Sequence, residues 1–169
     1  DNQELEAVAD VIVCDSKGAI SGDRTDLNSE KQKLLEFTNK KNVSGSVKKV
    51  LQGANVFIGV SKGNVISAKD VQTMAKDPII LAMANPTPEI MPDEAKKGGA
   101  IVIGTGRSDF PNQVNNVLVF PGIFRGALDA RSPVINNAMK LAAAKALAES
   151  VPTNELSTDK ILPHPLDRT

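Results

Sequence analysis

The chain has one cysteine, one histidine, no tryptophan and no tyrosine among its 169 residues. The single thiol, Cys14 in the apolar run VIVC, excludes a disulfide framework within the chain. It reads as a small buried hydrophobe suited to a reducing compartment. Five phenylalanines are too few for a base-stacking platform. The lack of tyrosine removes one common general acid from any active site the chain builds alone. Neither charge sign is in excess: twenty basic and twenty acidic residues cancel, which leaves no electrostatic case for nucleic acid or an anionic membrane. Apolar runs fall short of the roughly 18 residues a spanning helix needs. The opening DNQELEAVAD is acidic and polar, unlike a secretory signal. The expectation is a soluble, cytoplasmic, globular chain with one domain, long enough to bury a core.

What is present is an alternation of short apolar strands and helices. DVIVCD (Asp10–Asp15) is a β-branched run ending in an acid, followed by a polar, turn-rich KGAISGDRTDLN. Asn28 or Ser29 can cap a helix SEKQKLLEF with Leu34, Leu35 and Phe37 as its apolar stripe. A short helix SVKKVLQG stops at Gly53, and NVFIGV is the second strand. Ser67 with Asp70 forms a capping-box pattern that opens the helix AKDVQTMAK, and Pro78 ends it before the strand IILAMA. Pro92 suits a first helical position, Gly98-Gly99 closes that helix, and AIVIG is the next strand. PGIFRGALDA is read as a helix. A further helix is expected to begin at Ser132-Pro133, with Ile135, Ala138, Met139, Ala142 and Ala146 on one face and Pro152 as its stop. This order implies a parallel sheet built from crossovers.

The stretch from Ile79 to Asp129 concentrates polar side chains after two apolar runs: Asn85, Thr105, Arg107, Ser108, Asp109, Asn112, Gln113, Asn115 and Asn116. Open α/β sheets present ligand-binding groups at the carboxyl ends of such strands. The set contains no His and no Cys, so it suits binding and orienting a polar small molecule more than nucleophilic attack. No GxGxxG occurs anywhere; GVSKGN and GTGRSDF lack the spacing. A dinucleotide fold normally opens with a strand, a Gly-rich turn and a helix, so on this reading its first βα unit lies outside the chain. Without that central strand, Val11 and Val56 would flank an unpaired gap, and the isolated chain is expected to be marginal, rearranged or oligomeric.

Several strings resemble one family. VCDSKGAI with GDRTDLN, GVSKGNV, ILAMANPTPEIMPDEA and GTGRSDFPNQVNNVLVFPGIFRGALD, in this order from about Ala9 to Val151, are similar to bacterial NAD-dependent malic enzymes. The resemblance implies a Rossmann-like, doubly wound, mostly parallel α/β sheet flanked by helices, lacking its first strand–Gly-turn–helix unit here. Residues 1–169 would be a partial NAD-binding domain, with 133–169 a carboxyl-terminal helix and tail packed on it. The implied activity is oxidative decarboxylation of L-malate to pyruvate and carbon dioxide, with hydride passed to NAD and help from Mg²⁺ or Mn²⁺.

The resemblance carries over residue by residue. Asp15 matches the acid that takes the adenosine ribose hydroxyls, which favours NAD over NADP. Gly59, Val60 and Ser61 match the turn beside ribose and pyrophosphate. Asn85 matches a contact to nicotinamide ribose and substrate, Asn115 a cofactor contact and Asn116 a malate contact. The family's metal-binding acids, catalytic Lys and Tyr, and Gly-rich turn match no position in this chain. Catalytic and metal residues are therefore assigned to none of its positions, and Asp109, Glu89 and Asp93 are not promoted to fill them. The partners implied are malate, the missing amino-terminal part of the enzyme and a second copy in a homodimer, with no nucleic acid and no membrane. The isolated chain is expected to be inactive. Two other readings stand beside this one: an oxaloacetate decarboxylase of the same family, and a non-catalytic fragment or assembly domain.

Each residue singled out also has a plainer reading. Asp15 can cap its own turn, Asn85 before Pro86 is ordinary turn chemistry, and Asn115 or Asn116 can cap a helix. Arg107 reads as a structural partner for Asp109, and His164, between two prolines, as a solvated surface residue.

Overall fold

The computed structural model describes residues 8–166; the acidic opening residues before Val8 and the last three residues lie outside the described residues. The backbone divides into two compact units, one ending at Ala54 and one beginning at Asn55.

The first unit holds little regular structure. β1 (Cys14–Asp15) and β2 (Gly18–Ala19) pair antiparallel as a two-residue hairpin, followed by α1 (Ser29–Leu34) and α2 (Val47–Val50). The expected six-residue strand at Asp10–Asp15 is thus reduced to its last two residues. The remainder is extended but has single contacts in place of a ladder: Ile20 N–H donates to the Val13 carbonyl and Asn39 N–H to the Val11 carbonyl, both at 2.8 Å. A strand needs a neighbouring strand to satisfy its backbone, and within this unit only turn amides are available. Asn39 ties this part of the unit together. It sits at φ 52°, buried, and its amide donates to the carbonyls of Ile20 and Val43 while accepting from the Val43 N–H. α1 is capped by Asn28, whose side chain accepts from Lys31 N–H. It ends at Leu34, before the expected Phe37, and Phe37 is 63% exposed.

The second unit contains the parallel sheet. β3 (Val56–Gly59), β4 (Ile79–Ala82) and β5 (Val102–Thr105) lie in the order β3-β4-β5, all parallel, with Gly59, Ala82 and Thr105 in register at their carboxyl ends. Between them come α3 (Ala68–Val71) and α4 (Pro92–Lys97). This is the α/β, Rossmann-like arrangement expected from the alternating pattern. Side chains alternate across a strand. Phe57, Ile80 and Ala82 therefore point into a core shared with Val71 of α3 and Ala95 of α4, all buried. Val56 and Ile58 point the other way and are exposed, and β3 pairs with β4 on one side only.

The local signals acted as their chemistry dictates. Ser67 and Asp70 form the capping box of α3, Pro92 opens α4, and Gly98 follows its end. α3 is four residues long, shorter than the expected run.

After β5 the chain makes a 3₁₀ turn at Asn116–Leu118, then α5 (Phe120–Asp129) and α6 (Asn137–Glu149). α6 begins five residues later than Ser132, because the Asn136 side chain accepts from Met139 N–H and caps it there. Pro133 falls in the preceding loop, where the Ser132 hydroxyl donates to the Val134 carbonyl. No residue of α6 is buried. With α5 it lines an apolar groove of about 930 Å³ walled by Gly122, Ile123, Gly126, Met139, Ala142 and Ala146. None of the helices among the described residues is long and apolar enough to cross a membrane.

Candidate functional site

Parallel register places three strand ends level, and the loops that leave them gather the polar residues. From β3 come Val60 and Ser61, both exposed. From β4, Met83 N–H donates back to the Gly59 carbonyl at 2.9 Å, Ala84 is buried, and Asn85 emerges exposed ahead of a cis bond to Pro86. From β5 the chain loops out at Gly106 and returns so that Thr105 and Gln113 form a parallel bridge. Val114 N–H donates to the Thr105 carbonyl at 2.8 Å, and Thr105 N–H to the Asn112 carbonyl at 3.2 Å. Gly104 leaves room for its neighbours: a Cβ there would lie 2.8 Å from a Val114 methyl and 2.9 Å from a Leu81 methyl, and both side chains would have to shift.

Asn115 and Asn116 lie exposed at the 3₁₀ turn and have different surroundings. Asn115 caps the turn: its side-chain oxygen accepts from Val117 N–H at 3.1 Å and its amide reaches the Gly106 carbonyl at 3.4 Å. Asn116 is the first residue of the turn itself. Arg107 takes the structural role expected of it, with a two-point pair to Asp109 at 2.8 and 2.6 Å and its guanidinium 5.5 Å from the Phe110 ring. That pair holds the Asp109 carboxyl below the usual carboxylate range. Five of the six expected cofactor contacts, and both expected substrate contacts, therefore lie at or just beyond the carboxyl ends of one sheet. His164 is exposed and its ring nitrogen accepts from Leu166 N–H, in keeping with a surface residue.

Asp15 belongs to the first unit and its carboxylate is fully engaged. One oxygen accepts from Arg24 Nη1 at 2.8 Å and from Lys17 N–H at 2.9 Å. The other accepts from Arg24 Nη2 at 3.0 Å and Lys31 Nζ at 2.5 Å. A carboxylate has about four lone-pair positions, and four donors occupy them. A ribose diol would have to displace one of these donors. Arg24 also forks onto Asp26, which Lys17 Nζ contacts at 2.7 Å, so three cations and two acids form one network. Cys14, beside it, is half-buried, short of the full burial expected, and burial pushes its thiol up with a smaller contribution from Asp15.

Arg24, then Lys31, holds the Asp15 carboxyl well below the usual carboxylate range, against a smaller opposing effect of desolvation. A carboxyl whose folded pKa lies below its unfolded value of about 3.9 stabilises the fold above that pH and loses this contribution as pH falls. Arg24→Met is therefore expected to lower the urea midpoint at neutral pH, and the gap to the unmodified protein narrows as pH drops below about 4. Equal gaps at pH 7 and pH 3 would show that the pairing carries no such stability.

Two features of this region were hidden in the sequence. Glu89 is 0% exposed. Its Oε1 accepts from Ser61 N–H at 2.7 Å and from the Ser61 hydroxyl at 3.3 Å, and its Oε2 accepts from Ala84 N–H at 3.0 Å. Asn112 is buried at φ 54° and its side chain ties β5 to residues 158–161. Asn112 has the same residue type as the exposed Asn115 and Asn116 of its loop, and nothing in the residue type of Glu89 announces its burial. Among the described residues no group of three or more His, Cys, Asp or Glu is placed to hold a metal ion. The side chains present fit a metal poorly. Amides and a hydroxyl at level strand ends do fit the uncharged hydrogen-bonding groups of a nicotinamide ribose.

Comparison with known proteins gives a consistent answer. The family model described as "Malic enzyme, NAD binding domain" matches residues 1–168. The chain is 56% identical over 162 residues to the bifunctional malic/malolactic enzyme of Bacillus subtilis, covering 95% of this chain and 40% of that protein. It is 51% identical over 140 residues to an NADP-dependent malic enzyme of Rhizobium meliloti, covering 82% of this chain and 18% of that one. The crystal structure of an NAD-dependent malic enzyme from Thermotoga maritima superimposes with a TM-score of 0.85 at 40% identity, over 94% of this chain and 41% of that chain. The chain thus spans between 18% and 41% of the length of these proteins.

Proposed function

This chain belongs to the malic enzyme NAD-binding domain family, and from that premise we propose that it is the cofactor-binding portion of a longer cytoplasmic enzyme that converts L-malate to pyruvate and carbon dioxide. The observation that supports this most is the gathering of Ser61, Asn85, Asn115 and Asn116 at level carboxyl ends of three parallel strands, the crevice position where open α/β sheets bind nucleotides.

When bound, the nicotinamide supplies a hydride acceptor for C2 of malate. The contribution of this chain is to bind and orient. Ser61 and Asn85, on adjacent strand ends, would hold ribose hydroxyls. Asn85 and Asn116 would hold malate oxygens so that C2 faces the ring. Asn115 would contact the cofactor through whichever of its groups the turn does not use. Fixing two reactants in a productive orientation accounts for a large part of many enzymatic rate accelerations. The proton transfers and any divalent cation are assigned to residues outside this chain, since the described residues offer no carboxylate cluster for a metal.

Asp15 leaves the choice of cofactor open to a second reading. With its lone pairs taken by Arg24, Lys17 and Lys31, the network presents cations that a 2′-phosphate could engage. The experiment is an assay of the complete enzyme and of this chain alone, with malate, Mn²⁺ and either NAD or NADP. Reduced cofactor is expected from the complete enzyme and none from this chain. Turnover by the chain alone would overturn the division of labour, and equal use of both cofactors would favour the second reading.

A further inference from the structure

We propose that Glu89 is a positioning residue for the nicotinamide cofactor, a buried carboxylate that locks the turns after β3 and β4 into one ligand-binding surface. The inference rests on the functional reading above.

A buried carboxylate is costly unless its oxygens are hydrogen-bonded. Those of Glu89 are, and the donors come from the two turns that carry the candidate contacts: Ser61 after β3 and Ala84, next to Asn85, after β4. No Lys or Arg forms an ion pair with Glu89 among the described residues, so its place is set by backbone amides and a hydroxyl. The backbone repeats the link. The Glu89 carbonyl accepts from Val65 N–H at 2.8 Å and Ile66 N–H at 3.2 Å, and the Pro88 carbonyl from Asn64 N–H at 3.1 Å. Gly59 completes the arrangement, because the Glu89 side chain fills the space where its Cβ would stand. Both turns therefore take their position from one fully buried side chain.

The geometry is selective for a carboxylate of this length. In Gln the amide nitrogen must face either Ser61 N–H or Ala84 N–H, donor against donor. Asp is one methylene shorter and does not bridge the two turns. In the complete enzyme, Glu89→Gln and Glu89→Asp are each expected to raise the cofactor dissociation constant and cofactor KM by about tenfold or more, with a smaller fall in kcat. Ile80→Val, a fully buried β4 substitution away from the turns, serves as the control. It is expected to lower the melting temperature without moving the cofactor constants. A Glu89→Gln enzyme that melts cooperatively above the assay temperature and keeps the unmodified constants would overturn the proposal.

Amide hydrogen exchange on the unmodified enzyme covers the case in which neither variant folds. Ser61 and Ala84 amides are expected to open together and to gain protection together on addition of NAD, and independent opening would overturn the proposal. Failure of the unmodified enzyme to bind any nicotinamide cofactor would sink the functional reading. Normal turnover with unchanged Glu89-variant constants would sink the role of Glu89 alone.

Discussion

Replacing Gly59 by alanine is expected to cost about 2–3 kcal/mol of folding stability, the upper part of the range for one added methyl group in a packed core. The added Cβ would lie 2.4 Å from the carboxyl carbon of Glu89 and 2.7 Å from its Oε2. A flexible side chain could swing aside, but this one is held at both oxygens by Ser61 and Ala84 and has no exposed surface into which to retreat. The end of β3 must move instead, and its ladder to Ala82 with it. Urea unfolding of the single and double variants separates this cause from others. In a Glu89→Ala background the penalty of Gly59→Ala is expected to fall by more than half, a non-additivity characteristic of groups in contact. Strict additivity would show that Gly59 is glycine for some other reason.

Asn112→Ala is expected to cost about 2–4 kcal/mol, from lost hydrogen bonds and from forcing a side-chain-bearing residue without local stabilisation into the left-handed region. Its amide donates to the carbonyls of Ile103 at 3.0 Å and Thr158 at 2.8 Å, while its oxygen accepts from Ile161 N–H at 2.8 Å. The residue sits at φ 54° and is buried, so removing the side chain leaves backbone groups unpaired in a site water reaches poorly. Three substitutions rank the causes. Glycine accepts the backbone angle and loses only the bonds, alanine loses both, and aspartate sets a carboxylate against two carbonyls. The expected order of stability is Gly, then Ala, then Asp. Limited proteolysis should show faster cleavage around residues 158–161 in all three. A urea midpoint for Asn112→Ala equal to that of the unmodified protein would refute the account.

Both predictions concern residues whose importance a linear reading passes over. Glu89 lies inside NPTPEI, where the sequence assigns it no role, and Asn112 lies in a loop crowded with amides. Burial made them different, and burial is a property of what packs around a residue. The local signals were legible because their physics is local. Ser67 and Asp70 are three residues apart and need no tertiary partner to form a capping box, and the same holds for Pro92 at a helix start. α6 starts at Asn137 and not at Ser132-Pro133 because the Asn136 side chain accepts from Met139 N–H, a bond that forms only once the chain has its fold there. DVIVCD has the composition of a strand, but a strand exists only when another lies beside it, and the first unit supplies just the two-residue β2.

The stretch beyond β4 and β5 carries the same division. By itself the sequence determined that apolar strands alternate with helices in a parallel α/β pattern, that polar residues cluster after the strands, and that its strings resemble the malic enzymes. Each of these depends on order and spacing along the chain. Only the tertiary structure decided that Gly59, Ala82 and Thr105 end level, and that one buried carboxylate joins the turns leaving two of them. It also decided that Asp15 is saturated by the cationic groups of Arg24 and Lys31 together with the Lys17 backbone N–H. Hydrogen bonds act over about 3 Å in space whatever the separation in sequence. Which donor meets which acceptor is therefore set by how the chain folds back on itself.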